Sequence, residues 1–326
     1  MTNQPAPVRI IVGVDGSGQS IGALRVAQHL AEALDAELAV TGCWEYANMR
    51  SARITLGAMG EKEEAQAELD AAVDAAVGPS RPKNLTVELV FGPAESRLVE
   101  ASGTASMLVV GRHGHGGLNG LLVGSVSSAC VRHAKCPVLV VHEPTGEGDG
   151  TGVESGGRAL ERQGGSRRIV VGVDGSPQSV QALREAARIA SALGGTVDAV
   201  ACWELPSIWM APYPLAGEDF QGEAVQALAA SLEEAFGADK PEHVSSRLIE
   251  AQVRPGLLEA SKDAAMLVVG RRGRGLARLG LGSVSAGCVS HGRCPVLVVN
   301  AGPDGGAGTE AGENAVEEAA AHGQTT

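Results

Sequence analysis

The chain repeats itself, and the repeat limits its fold to two copies of one domain. Val8-Arg9-Ile10-Ile11-Val12-Gly13-Val14-Asp15-Gly16-Ser17 returns as Arg167-Arg168-Ile169-Val170-Val171-Gly172-Val173-Asp174-Gly175-Ser176. Cys43-Trp44-Glu45 returns as Cys202-Trp203-Glu204, and Met107 to Arg112 as Met266 to Arg271, all at an offset of 159 (Asp15 to Asp174). Cys136-Pro137-Val138-Leu139-Val140-Val141 returns as Cys294 to Val299 at an offset of 158 (Cys136 to Cys294). One residue is therefore missing from the second copy between Gly270 and Cys294. A unit this long is a duplicated domain, not a solenoid repeat. The 326 residues suffice for two domains of ordinary size. We expect domains over 1–142 and 167–300, a flexible Gly-rich linker over 143–166, and a disordered acidic tail over 301–326 with a frayed helix at Ala315 to Ala321.

Each copy alternates strand and helix. In the first, Arg9–Val14, Glu37–Trp44, Leu85–Val90, Met107–Val110 and Pro137–His142 read as strands. Helices follow Ser17 to Ser20, where Ala23, Ala27, Leu30, Ala31 and Leu34 recur at helical spacing, and cover Glu61–Val77, Glu95–Ser102 and Ser125–Arg132. Near-continuous apolar strands between helices predict an α/β fold, a parallel sheet covered on both faces. With three Trp, two Tyr and three Phe in the whole chain, the cores must be built from Val, Leu, Ile and Ala.

The stretch from Val110 to Ser127 carries the candidate chemistry. An apolar strand runs into Gly111, then Gly114, then Gly124-Ser125 after nine more residues, where a helix can begin. Such a loop aims backbone N–H groups and the positive end of a helix dipole at a phosphate. The Ser125 and Ser127 hydroxyls can add donors. In a parallel sheet, ligands bind beyond the strands' carboxyl ends, where the strand order reverses. If strands 1 and 4 are neighbours, Asp15 faces the same crevice. Its carboxylate can then accept from a ribose hydroxyl or help hold Mg²⁺ on the phosphates. Adenine would lie near Cys43. Asp15 can alternatively be a helix cap.

These residues resemble the universal stress protein family, in the tandem form abundant in actinomycetes. Val-Asp-Gly-Ser at strand 1, the Gly-x2-Gly-x9-Gly-Ser loop, the following Val126-Ser127 and the Cys-Pro-Val-Leu-Val-Val strand carry the likeness over nearly the whole of both halves. The resemblance implies two Rossmann-like (adenine nucleotide alpha hydrolase-like) domains, each a five-stranded parallel sheet of order 3-2-1-4-5 with helices on both faces. It implies ATP binding, with or without Mg²⁺, at Asp15, Cys43, Gly111, His113, Gly114, Gly124, Ser125, Val126 and Ser127. In the second half it implies Asp174, Cys202, Gly270, Gly273, Gly282, Ser283 and Ser285. It also implies pairing of the halves through their last strands as a pseudo-dimer, with homodimers between chains an open alternative, and a stress-responsive regulatory role toward a protein partner.

The second half departs from the pattern. Only eight residues separate Gly273 from Gly282, and Arg271, Arg272, Arg274 and Arg278 make the loop cationic, which can compensate electrostatically. The rival function, a slow ATPase or phosphoryl transferase, needs Arg112 or His113 at the γ-phosphate. A nucleotide-independent scaffold is the third. His113 and His115 can also be solvated loop residues, and Trp44 and Trp203 core residues. Trp203, Trp209, Tyr213 and Phe220 form an aromatic cluster suited to a lid. Cys130-x2-His133-x2-Cys136, repeated at Cys288, His291 and Cys294, has metal-like spacing, but running off a helix onto a strand keeps its side chains from converging.

The net charge of −12 argues against nucleic-acid partners. Lack of a hydrophobic N-terminal signal or a run of about 20 apolar residues argues against a membrane. Six Cys without a Cys-x-x-Cys pair fit reduced, buried thiols. Together these predict a cytoplasmic protein.

Overall fold

The computed structural model describes residues 8–45, 57–114, 123–142, 167–204, 220–273 and 280–300. The expected linker, the tail, His115, Arg274, Arg278, Trp209 and Tyr213 lie outside them. In the first half, β1 (Arg9–Gly13), α1 (Gly18–Ala33), β2 (Glu37–Trp44), α2 (Gly57–Val77), β3 (Leu85–Phe91), α3 (Ala94–Ala101), β4 (Met107–Gly111), α4 (Ser125–His133) and β5 (Val138–Val141) follow in order. The second half repeats them as β6 (Arg168–Gly172), α5 (Pro177–Leu193), β7 (Thr196–Trp203), α6 (Phe220–Phe236), β8 (Val244–Glu250), α7 (Val253–Ala260), β9 (Met266–Gly270), α8 (Ser283–His291) and β10 (Val296–Val299).

Period-two alternation sorts the strand residues onto two cores. Ile10, Val12, Met107 and Val109 point to the face covered by α1 and α2, beside Leu24, Leu30 and Val73. Ile11, Leu108 and Val110 point to the other, beside Leu98 of α3 and Cys130 and Val131 of α4. The first core runs on without a break into Ile169, Val171 and Leu183 of the second half.

The strands join one ten-stranded sheet of order β3-β2-β1-β4-β5-β10-β9-β6-β7-β8. Within each half all pairs are parallel, and β1 lies beside β4, as β6 lies beside β9. The order reverses between β1 and β4, which puts a crevice beyond their carboxyl ends. The halves meet where β5 and β10 pair antiparallel, Val140 opposite Val296 and Leu139 opposite Leu297. All four residues of each strand are buried.

Two side chains at equivalent places stitch this junction. Asn300 Nδ2 donates to Ala134 O (2.7 Å) and Cys136 O (2.9 Å). At the mirror position His142 places Nδ1 2.8 Å from Cys294 O and Nε2 2.9 Å from Val289 O. A neutral imidazole donates through one nitrogen only. Burial pushes the His142 pKa below its usual value, against the pull of the two carbonyls and with the charges of Arg112 and His113. The unfolded chain therefore takes up a proton near pH 6.5 that the folded chain resists, so stability is full above that pH and lost as pH falls. Urea midpoints should drop from about pH 7.5 to 5.5, and His142→Asn, which supplies two donors as Asn300 does, should remove this histidine's share of the drop.

Candidate functional site

Ser17 starts α1, its side chain accepting from Ser20 N. Asp15 is not the cap. Its Oδ1 accepts from Ser17 N (3.0 Å) and Ser17 Oγ (2.6 Å), holding the capping serine in place. Gly16 between them has φ of 82°, and Gly175 in the second half 79°, a turn that side chains with a Cβ resist. Asp174 holds Ser176 in the same way, at 3.0 and 2.6 Å. The other carboxylate oxygen, Asp15 Oδ2, lies so close to Gly114 that any Cβ there would collide with it, and Asp174 Oδ2 and Gly273 repeat the arrangement. This is why the second loop glycine must be glycine: it lets the loop close on the acid.

Several loop amides are already spent. Arg112 N donates to Val141 O (3.0 Å) and Gly124 N to Arg112 O (2.9 Å). His113 N donates to Gln19 Oε1 (2.7 Å), and Gln178 does the same for Arg272 N (2.5 Å). Ser127 is buried, and its hydroxyl donates to Arg112 O (2.9 Å) and Gly124 O (3.1 Å). Ser285 likewise donates to Gly270 O (2.7 Å). These serines tie the loop to the helix, so their protons are not spare donors for a ligand. Among the described residues, the first turn of α4 stays available. Gly124 provides no capping side chain, and the amides of Ser125, Val126 and Ser127 have no acceptor within the helix.

A cavity of about 340 Å³ lies over this point. Asp15, Cys43, Gly111, His113, Gly114, Gly124, Ser125, Val126 and Ser127 all line it. The second half has a cavity of about 520 Å³ lined by Asp174, Cys202, Gly270, Gly273, Gly282, Ser283 and Ser285. The structure thus brings together, each in its own half, the residues that the resemblance implies for the two sites. The sequence reading assigned no place to Ser20, Thr41 and Leu98 in the first cavity or to Glu204 and Glu223 in the second, whereas Arg272, expected as a loop cation, does line the second. It also missed Gln19 and Gln178, whose repetition at the offset of the duplication was the available signal.

Two expectations about cations need correction. Arg112 and Arg271 do not line the cavities beside them. Arg112 Nη1 donates to Ser290 O and Arg271 Nη1 to Arg132 O, each in the other half. Arg112 is therefore unavailable to a γ-phosphate in the first cavity, and Arg271 does not compensate the short second loop. That shortening falls between Gly273 and Gly282, of which residues 274–279 lie outside the described set. Its flanks keep the first half's bonds, with Gly282 N on Arg271 O at 2.9 Å.

Trp44 packs edge-on to Phe91 with centroids 5.1 Å apart, while Trp203 and Phe220 line the second cavity. Burial pushes the Cys43 and Cys202 thiols up to about 11 and those of Cys130, Cys136, Cys288 and Cys294 to about 12, so these are poor nucleophiles. Among the described residues no group of three or more His, Cys, Asp or Glu could hold a metal, and no helix is long and apolar enough to cross a membrane.

Residues 8–142 and 165–300 each match the universal stress protein family. The chain belongs to that family. It is similar to a universal stress protein of Mycobacterium tuberculosis, 35% identical over 228 residues, 68% of this chain and 71% of the relative. A Mycolicibacterium smegmatis universal stress protein is 30% identical over 305 residues, 89% of this chain and 96% of the relative. The crystal structure of a universal stress protein from Archaeoglobus fulgidus shares the fold, with a TM-score of 0.61 at 21% identity, covering 90% of this chain and 98% of that one. This is a tandem universal stress protein fold whose relatives include actinomycete proteins.

The tying role of Ser127 is testable on the unliganded chain. Ser127→Ala should lower stability by about 1 kcal/mol, the worth of one buried hydrogen bond, read from the shift in denaturant midpoint at unchanged slope.

Proposed function

We propose that each half binds one ATP, with or without Mg²⁺, and that the protein is a nucleotide-dependent regulator, not a catalyst. One observation carries this reading: the uncapped first turn of α4, with Ser125, Val126 and Ser127, opens on the same cavity as the Asp15 carboxylate. The amides suit phosphate oxygens, and the acid suits a ribose hydroxyl or a metal ion on the phosphates. Among the described residues, Asp15 is the one carboxylate lining the first cavity. A single acid suits Mg²⁺, which takes one or two carboxylates and completes its shell with phosphate and water. Val14, Leu98 and Val110 supply apolar wall for a base, with Thr41 and Cys43 at the strand 2 end.

The second cavity has the same frame, with Arg272, Glu204 and Glu223 also in its lining. Carboxylates disfavour an anion beside them, so phosphate belongs at the α8 end beside Ser283. Of the two candidates for work at the γ-phosphate, Arg112 is turned away from the first cavity and His113 alone lines it. Turnover should accordingly be absent or slow, with ATP acting by occupancy. Bound nucleotide would act on self-association or on a regulatory protein partner. The twofold stoichiometry, the domain limits 1–142 and 167–300, and a reducing cytoplasmic setting belong to this same proposal.

Mass spectrometry of small molecules co-purifying with the intact chain, with calorimetric stoichiometry, tests it. Two ATP per chain is the expected result; no nucleotide and no heat on adding millimolar ATP and Mg²⁺ would overturn it. Gly114→Ala should push Asp15 aside and weaken first-half binding roughly tenfold or more. Gly103→Ala, where a Cβ meets only the Lys135 side chain at 3.5 Å, should leave binding unchanged.

A further inference from the structure

Arg112 and Arg271 sit one residue beyond β4 and β9, and each does two jobs. Through its main chain each builds its own half's cavity. Arg112 O accepts from Gly124 N and Ser127 Oγ at the start of α4, both at 2.9 Å. Arg271 O accepts from Gly282 N (2.9 Å) and Ser285 Oγ (3.3 Å) at the start of α8. Through its guanidinium each reaches the other half. Arg112 Nη1 donates to Ser290 O, 3.3 Å away in the last turn of α8. Arg271 Nη1 donates to Arg132 O, 3.1 Å away in the last turn of α4. His142 on Val289 O and Asn300 on Ala134 O occupy neighbouring carbonyls at the same two helix ends.

The ends so held are the negative poles of the two helices whose positive poles open on the cavities. A cation at a helix C-terminus is favourable and fixes the helix, with its opposite end, in place. Both arginines are partly buried, and burial pushes their pKa down, yet a guanidinium keeps its charge at neutral pH.

We infer that the two cavities are energetically coupled through this crossed pair: the Arg271 guanidinium, belonging to the second half, tunes anion affinity in the first cavity, and Arg112 tunes the second. The inference rests on the ATP reading of the cavities. A ligand drawing the start of α4 toward itself shifts the Arg112 main chain. The Arg112 side chain carries that shift to the end of α8, and so to the second cavity. Coupling of this kind is reciprocal.

The test isolates one cavity in the full-length chain. Gly273→Val closes the second cavity by driving a side chain into Asp174. In that background ATP is titrated by calorimetry into chains carrying Arg271 or Arg271→Met, which keeps the aliphatic stem and drops the charge. First-cavity affinity should fall about twofold to fivefold. Arg271→Gln, polar and uncharged, should give the same loss and replaces Met if that variant folds poorly. The mirror pair, Arg112→Met with the first cavity closed by Gly114→Val, should weaken the second cavity. Unchanged first-cavity affinity in an Arg271 variant with the parent's thermal midpoint overturns the coupling while leaving the ATP reading intact. So does an equal loss at both cavities together with a lowered thermal midpoint when Arg271→Met is made in the otherwise unaltered chain, because that marks general loosening. Absence of ATP binding to the unaltered chain overturns the site reading, and the coupling with it.

Discussion

The antiparallel contact between β5 and β10 decides what the rest of the molecule can do. Every other pair in the sheet is parallel, so this one reversal makes the strands of the two halves run in opposite directions. The carboxyl ends of the first half's strands then lie alongside the amino ends of the second half's. Each of α4 and α8 runs back from the carboxyl end of its own strands toward their amino end. Its C-terminus therefore arrives beside the other half's strand tips, where Arg112 or Arg271 emerges. The crossed arginines follow from a four-residue strand pair and the handedness of βαβ connections.

Much of this was legible in the sequence. The duplication fixed two copies, apolar runs located the strands, and the glycine spacing located the loop. The neighbouring of β1 and β4, on which the placing of Asp15 and Gly114 together depends, followed from the family resemblance and stands in the pairing of Ile10 with Met107. The direction of side chains across the junction was not legible. Arg112 and Arg271 read as loop cations because they adjoin glycines; their targets lie 178 and 139 residues away in sequence. The serine at the third helix position read as a donor, since a hydroxyl near an anion loop can be one. Only the burial of Ser127 and its nearness to Arg112 O assign the proton to the main chain.

The loop separates two demands that one glycine-rich stretch must meet. Among its described residues, the amides of Arg112, Gly124 and His113 are spent in holding shape, on Val141, Arg112 and Gln19, and a spent donor offers little to a ligand. Binding capacity passes to the first turn of α4, where geometry leaves N–H groups without partners. A rigid frame with few open donors is preorganised: the ligand meets groups already oriented, and little ordering cost remains at binding. The closeness of Asp15 to Gly114 belongs to the same design, since the carboxylate is held by Ser17 before any ligand arrives.

Joining two copies in one chain also removes a restriction that symmetry imposes. In a dimer of identical chains each interface residue occurs twice, in equivalent places. Here His142 and Asn300 occupy equivalent places with different chemistry: one amide satisfies two carbonyls at any pH, and one imidazole does so only when charged. The cavities differ in the same manner, Thr41 facing one where Val200 faces the other, and Glu223 and Arg272 lining only the second. Covalent linkage keeps the partner strand at high effective concentration, so the junction need not be optimal on both sides to persist. A tandem chain can therefore keep the frame that positions two helix termini while letting the two sites respond differently to charge, ligand and pH.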